Sequence, residues 1–372
     1  MKNKLRQLRE EKGITQEELG RLAGVSRQTI HAIEAGKFEP SVWAAYALAK
    51  VFGLTIEEVF CFEESPRPAV NHSACKNTAE KGDESPAPPS MNAPVRGDIR
   101  QELVYKQAGD YAVALTYLPP LVRGEDPAPV YYCISGGGWN TCSREAMLCF
   151  SAPSVEALRR RGFAVVSPDY RVTGGGVSMD DAVSDCLDGL RYLARHAAIL
   201  GVDPHRIVVS GHSAGGHLAL LAAYAPPALF RRDSVLAEEA FTVRGVAPIC
   251  GPTILYPDGE PLLSFPVDDR FACGSADSEE ARRCSPIVYV GQRKIPALLV
   301  GGLADPLVYP ANHIRFARRC EETGTPCTLL LSENGGHCLE PVDPSRPSAP
   351  DMAAAQQAIA AFALACIGWE EG

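Results

Sequence analysis

Residues 206–223 read RIVVSGHSAGGHLALLAA. Ile207 to Val209 form a short apolar run of strand type, and the alanine- and leucine-rich run from about Ala214 to Ala223 is of helical type. Between them lies Gly211-His212-Ser213-Ala214-Gly215, the pattern G-x-S-x-G at a strand-to-helix turn. So tight a turn strains the serine backbone and brings the positions two before and two after it together. A side chain there would clash, which is why both are glycine. The helix start aims its dipole and the Ala214 amide at the same place, favouring a developing oxyanion. Ser213 is the candidate nucleophile.

A serine hydroxyl needs a base, and the base needs an orienting carboxylate. Downstream, PALLVGGLADPLVYP (296–310) gives a buried strand, Ala297 to Val300, and a loop carrying Asp305. Next, CTLLLSENGGHCLE (327–340) gives a strand, Cys327 to Leu331, and a loop carrying His337. Both side chains fall just past the C-terminal end of a strand, where α/β sheets place their ligand sites. The alternatives are less well placed. His212 adjoins the serine too closely to act as its base, and His217 falls in the following helix. His196, His205 and His313 fall at helix ends or on the surface. Asp268 and Asp269 lie in an irregular stretch, and Cys338 has no elbow around it, so it reads as an ordinary buried cysteine.

Upstream, VYYCISGGGWN (130–140) puts a strand, Val130 to Ile134, before three glycines and Trp139. Consecutive glycines let backbone amides crowd toward a bound carbonyl oxygen. From Pro252 to Ser285 no sheet pattern shows; its Phe265, Phe271 and Tyr256 are candidates to line a pocket or to pack in the core.

The chain divides by composition. Residues 99–372 alternate apolar strand-like runs with helical stretches, the mark of an α/β domain with a largely parallel sheet. Residues 63–98 hold six prolines, few apolar residues and no periodicity, and read as a mobile linker. Residues 1–62 read as short helices with no strand pattern. With 372 residues, 46% hydrophobic and 22% charged, a disordered or fibrous protein is excluded. A net charge of −9 excludes a wholly basic nucleic-acid coat but not a small DNA-binding module. Thirteen cysteines, an odd number with no C-x-x-C pair, and a charged N-terminus without an apolar core predict a cytosolic protein with mostly free thiols. The uncharged run Met352 to Trp369 contains Gln356 and Gln357 and reads as a helix packed on a soluble core, not a membrane span.

In the first 62 residues a helix is expected over Lys4 to Lys12, with Leu5 and Leu8 inward. Thr15 and Glu18 form a capping-box pattern for a second helix that ends near Ala23-Gly24. Ser26 caps a third, Arg27 to Ala35, and helices Val42 to Phe52 and Ile56 to Phe60 follow. Leu19, Ala23, Val25, Ile30 and Ile33 are spaced to share a core. A helix, a glycine turn and a second helix with a polar start is the helix-turn-helix arrangement. Residues 5–60, LRQLREEKGITQEELGRLAGVSRQTIHAIEAGKFEPSVWAAYALAKVFGLTIEEVF, resemble the Cro/repressor-type (XRE) DNA-binding family. The resemblance implies that the third helix enters the major groove of double-stranded DNA. Arg27 and Gln28 would contact base edges, with Gln16 and Thr29 near phosphates and Lys37 just beyond. Nine basic and eight acidic residues leave this module nearly neutral. A homodimer reading two half-sites would offset the weak nonspecific affinity.

Residues 130–340 resemble the α/β-hydrolase esterases of the hormone-sensitive-lipase and feruloyl/acetyl-xylan-esterase-like group. The stretches that match are GGGW (136–139), SPDYRV (167–172), residues 181–220 around the elbow, SPIVYV (285–290), ADPLV (304–308) and GGH (335–337). The implied fold is α/β: an α/β-hydrolase with a mostly parallel central sheet, preceded by a small all-α helix-turn-helix domain. In that family the catalytic order is Ser, Asp, His, as Ser213, Asp305 and His337 stand here. Carried over, Gly137, Gly138 and Ala214 would donate to the oxyanion. The family usually has histidine where this chain has Ser135. The expectation is a serine carboxylesterase for small acyl esters, needing neither metal nor organic cofactor, tethered to a sequence-specific DNA-binding domain. A regulator whose hydrolase-like domain senses an acyl ligand, and an amide hydrolase or peptidase, are the alternatives.

Overall fold

A computed structural model describes residues 2–23, 27–34, 36, 48–49, 51–52, 54, 59–61, 96–230 and 236–368. The chain forms two compact units, Met1–Glu84 and Ser85–Gly372. Nearly all of the expected linker, and the expected cap Ser26, lie outside the described residues.

In the first unit, α1 (Leu5–Glu11), α2 (Gln16–Ala23) and α3 (Arg27–Glu34) enclose a small core of Leu5, Leu19, Ala23, Ile30 and Ile33. The Thr15 hydroxyl accepts from the Glu18 amide at 3.1 Å, which stops α2 from fraying at its start. Residues 1–62 carry no strand pattern, yet β1 (Lys2–Asn3) pairs antiparallel with β2 (Phe60–Cys61). Phe60, expected to close a helix, therefore lies in a strand. The pair fastens the beginning of the module to its end, and Phe60 fills the core beneath it.

The second unit is built on an eight-stranded sheet. Its strands are β3 (Gln101–Ala108), β4 (Tyr111–Leu118), β5 (Ala128–Ile134), β6 (Ala164–Pro168), β7 (Val202–His212), β8 (Val243–Ile249), β9 (Ala297–Gly302) and β10 (Cys327–Ser332). Their spatial order is β10-β9-β8-β7-β5-β6-β4-β3. From β6 to β10 the neighbours run parallel; β3 and β4 are antiparallel additions at one edge. β5, APVYYCI, is buried at every residue because helices cover both faces. Val130, Tyr132 and Ile134 face a core closed by α6 (Met179–Arg195), α8 (Ala214–Tyr224) and α10 (Ala311–Thr323). Tyr131 and Cys133 face the opposite core, closed by α4 (Arg144–Phe150), α5 (Ala152–Arg160) and α11 (Met352–Cys366). A short α7 (Ala197–Leu200) leads into β7, and α9 (Glu279–Arg283) lies in the segment after β8.

The alanine-rich run is thus helix α11, which buries Ala355, Ile359 and Ala363 on the sheet. No helix among the described residues is long and apolar enough to cross a membrane. Asp268 and Asp269, expected in irregular chain, begin a one-turn 3-10 helix, Asp268–Arg270.

Candidate active site

β7 delivers Ser213 at its end and α8 starts on the next residue. Ser213 has φ 54° and ψ −120°, a left-handed backbone that costs about 1–3 kcal/mol in a residue other than glycine. The surroundings hold it there. Its amide donates to the Ile249 carbonyl at 2.8 Å and its carbonyl accepts from the His217 amide at 3.1 Å. A Cβ on Gly211 would overlap the Gly215 carbonyl, and one on Gly215 would overlap the Ile134 carbonyl of β5.

The loops after β9 and β10 bring Asp305 and His337 to this serine. His337 Nε2 lies 2.8 Å from Ser213 Oγ, and His337 Nδ1 lies 2.8 Å from Asp305 Oδ2. The other carboxylate oxygen of Asp305 accepts from the amides of Leu307 at 2.8 Å and Val308 at 3.1 Å. Burial by itself would raise the Asp305 carboxyl. The hydrogen bond and charge of His337 and those two amides outweigh it and hold the group below its ordinary value. Asp305 therefore stays a carboxylate across the neutral range and holds the Nδ1 proton of His337, leaving Nε2 free to accept one from serine.

His212 does not reach the serine hydroxyl. Its Nε2–H donates instead to the carbonyl of His337 at 3.0 Å, and its ring packs on Phe150 with centroids 4.6 Å apart. Burial, and secondarily the nearby His337, lower it to about 4, so it is a neutral donor at pH 7. Sequence reasoning missed this contact, because nothing in residues 206–223 shows which backbone the neighbouring imidazole meets. His217 is buried, accepts from Trp139 Nε1–H at 3.3 Å, and donates to the Cys284 carbonyl at 2.7 Å. His196 caps α6 and His205 is exposed, as expected. His313 stands in the first turn of α10, near a helix end as expected, and is fully buried, because Gly301 of β9 presents no side chain and the imidazole fills that space. One expectation is corrected. Cys338 is exposed on the rim, with its sulfur 3.6 Å from His212 Nε2.

Gly136, Gly137, Gly138 and Trp139 pass beside the elbow. A Cβ on Gly136 would come within 2.8 Å of the His212 carbonyl oxygen and 3.3 Å of Ser213 Cβ. Gly137, Gly138 and Trp139 all have positive φ, at 125°, 59° and 59°. Among the described residues the amides of Gly137, Gly138 and Ala214 have no hydrogen-bond acceptor. The loop is tied down elsewhere: Thr173 N–H donates to the Trp139 carbonyl at 2.8 Å and Arg270 Nε–H to the Gly138 carbonyl at 3.4 Å. Ser135, where the resembling family has histidine, accepts from the Ser143 amide at 3.1 Å through its hydroxyl, and its carbonyl accepts from the Tyr170 hydroxyl at 3.1 Å.

Of the three aromatics in 252–285, Phe265 packs against Trp139, with centroids 6.4 Å apart. Phe271 is buried in the core. Tyr256 lies under the Arg282 guanidinium in a groove with Ile254, Arg315 and Arg319. Among the described residues one cluster has metal-ligand spacing, and it is Cys250, Asp305 and His337. Burial, reinforced by the Asp305 charge, pushes the Cys250 thiol well above its ordinary value, which disfavours the thiolate a metal would need. The imidazole and carboxylate are already engaged with each other.

In the first unit Gln16 is tied by its side-chain amide to Glu34 at 2.8 Å, and Glu34 also pairs with Arg9. Thr29 is half-buried on α3. Arg27 and Gln28 open α3; their side chains, and Lys37, lie outside the described residues.

A mostly parallel sheet with a serine turn beyond its middle strand defines an α/β-hydrolase. The chain belongs to the BD-FAE family, whose model matches residues 116–319, and residues 5–59 match the helix-turn-helix family. Over 64 residues the chain is 52% identical to an uncharacterised HTH-type transcriptional regulator of Methanocaldococcus jannaschii, a match that covers 17% of this chain and 97% of that protein. The carboxylesterase NlhH of Mycobacterium tuberculosis is 34% identical over 148 residues, 36% of this chain and 44% of that enzyme. Less than half of that esterase's length is therefore matched. Among solved structures, the thermophilic esterase Est2 of Thermogutta terrifontis superposes with a TM-score of 0.59 and 25% identity, covering 76% of this chain and 95% of that one.

Proposed function

We propose that the second unit is a serine carboxylesterase acting on small acyl esters, and that the first binds double-stranded DNA. The observation that carries the hydrolytic reading is the unbroken relay Ser213 Oγ–His337 Nε2 and His337 Nδ1–Asp305, each link 2.8 Å. His337 takes the serine proton as Oγ attacks the ester carbonyl, and Asp305 stabilises the imidazolium. The amides of Gly137, Gly138 and Ala214 receive the oxyanion, and the alcohol departs with the proton from His337. Water, activated by the same imidazole, then hydrolyses the acyl-enzyme. Carboxylesterases among the relatives and structural neighbours support the ester class. The helix-turn-helix family match supports DNA as partner, with Gln16, Arg27, Gln28 and Thr29 on the α2–α3 side.

A regulator that only senses an acyl ligand would not need an aligned base and acid, and their alignment favours turnover. Ser213→Ala should reduce hydrolysis of a short p-nitrophenyl ester by roughly 10³-fold or more. Unchanged turnover in that variant would overturn the assignment.

A further inference from the structure

His217 stands one turn after the nucleophile on α8, with its amide bonded to the Ser213 carbonyl, and it is fully buried. Its two ring nitrogens meet two other segments of the chain. Nε2 lies 2.7 Å from the Cys284 carbonyl, and a carbonyl only accepts, so Nε2 carries the proton. Nδ1 then keeps its lone pair. It accepts from Trp139 Nε1–H at 3.3 Å, with the two rings edge to face and their centroids 5.2 Å apart. Burial lowers the imidazole to about 4, so it is neutral at pH 7 and this tautomer persists.

The two ends of this link differ. The Cys284 carbonyl is a fixed point: Cys284 closes α9, its amide donates to the Glu280 carbonyl at 2.8 Å, and its thiol donates to Asp180 of α6 at 3.4 Å. Trp139 is the strained end. Its φ of 59° is a left-handed backbone that a bulky residue takes only when its surroundings hold it there. Thr173 holds the Trp139 carbonyl, through its amide at 2.8 Å and its hydroxyl at 3.2 Å. The indole N–H has no partner but His217 among the described residues. Gly137 and Gly138 immediately precede this residue, so whatever holds Trp139 also sets the direction of their amides.

We propose that His217 is a positioning residue for the glycine loop: it pins the Trp139 indole and so keeps the Gly137 and Gly138 amides aimed at the oxyanion. The proposal rests on the hydrolytic reading above. The oxyanion forms only on the way through the transition state, so a loosened loop lowers kcat and leaves KM nearly unchanged.

Steady-state kinetics on a short p-nitrophenyl ester tests this. His217→Leu removes the acceptor and should lower kcat about 10- to 100-fold, with KM within about twofold of wild type. His217→Asn puts Oδ1 where Nδ1 stands and should recover most of the loss. Trp139→Phe keeps an aromatic ring and removes the donor. It should fall as far as His217→Leu, and the double variant should be no worse than either alone. The circular dichroism of each variant should match wild type; if His217→Leu does not fold, Trp139→Phe and His217→Asn decide the same question. The indole N–H resonance, identified by its loss in Trp139→Phe, gives a readout independent of turnover. It should shift and exchange faster with solvent in His217→Leu but not in His217→Asn. Unchanged kcat in His217→Leu or Trp139→Phe, additive losses in the double variant, or an indole signal indifferent to His217→Leu overturns the proposal. Each of those results leaves Ser213-dependent turnover of the wild type standing, whereas its absence overturns the hydrolytic reading itself.

Discussion

His313 shows how much one residue can cost. Its ring is fully buried against Gly301, and neither nitrogen has a partner among the described residues. Burial lowers its pKa from 6.5 to about 4. The folded value lies below the unfolded one, so the unfolded chain takes up the proton first. Stability then falls as pH drops from about 6.5 to about 4, by up to about 3 kcal/mol for this one ring. His313→Leu keeps similar volume and removes the titration. Urea unfolding at pH 7 and pH 4.5 should show a smaller acid loss in the variant than in wild type. An equal or larger loss would show that the buried imidazole is not what acid attacks. The sequence placed His313 near a helix end, which is right along the chain; its burial depends on a glycine in a strand that only the fold brings alongside.

At the scale of elements, the elbow was legible because its constraint is local. Strand, G-x-S-x-G and helix occupy consecutive residues, and the steric reason for each glycine acts over a few positions. Gly215 is the strictest case, since a methyl there would overlap the backbone of β5. Gly215→Ala should lower the melting temperature by roughly 5–10 °C, measured by calorimetry, as expected of a backbone clash worth about 3 kcal/mol. A melting temperature within a degree of wild type would show that the turn has room it does not display. The strands bearing Asp305 and His337 were also readable as apolar runs closed by glycine-rich loops. The β1–β2 pair was not: two residues per strand carry no periodicity, and the partners lie far apart in sequence. The contact of His212 with the His337 carbonyl was hidden for the same reason, 125 residues separating the two.

At the scale of the whole molecule, charge and composition separated a nearly neutral helical module from an acidic α/β unit. The chain forms two compact units, Met1–Glu84 and Ser85–Gly372, and the two family models match residues 5–59 and 116–319. Which edge of the sheet is left open, and which aromatics of 252–285 meet the site, depended on packing that no local pattern records. The central claim is that Ser213, activated by His337, is the nucleophile of the second unit. Its most direct test is treatment of the full chain with diethyl p-nitrophenyl phosphate, in which serine Oγ displaces p-nitrophenolate from phosphorus, followed by mass mapping of the peptides. The account predicts one diethylphosphoryl group per chain, on the peptide containing Ser213, and none in Ser213→Ala. A label on another residue, or a wild-type chain that turns over esters while Ser213 stays unmodified and activity persists, would contradict it.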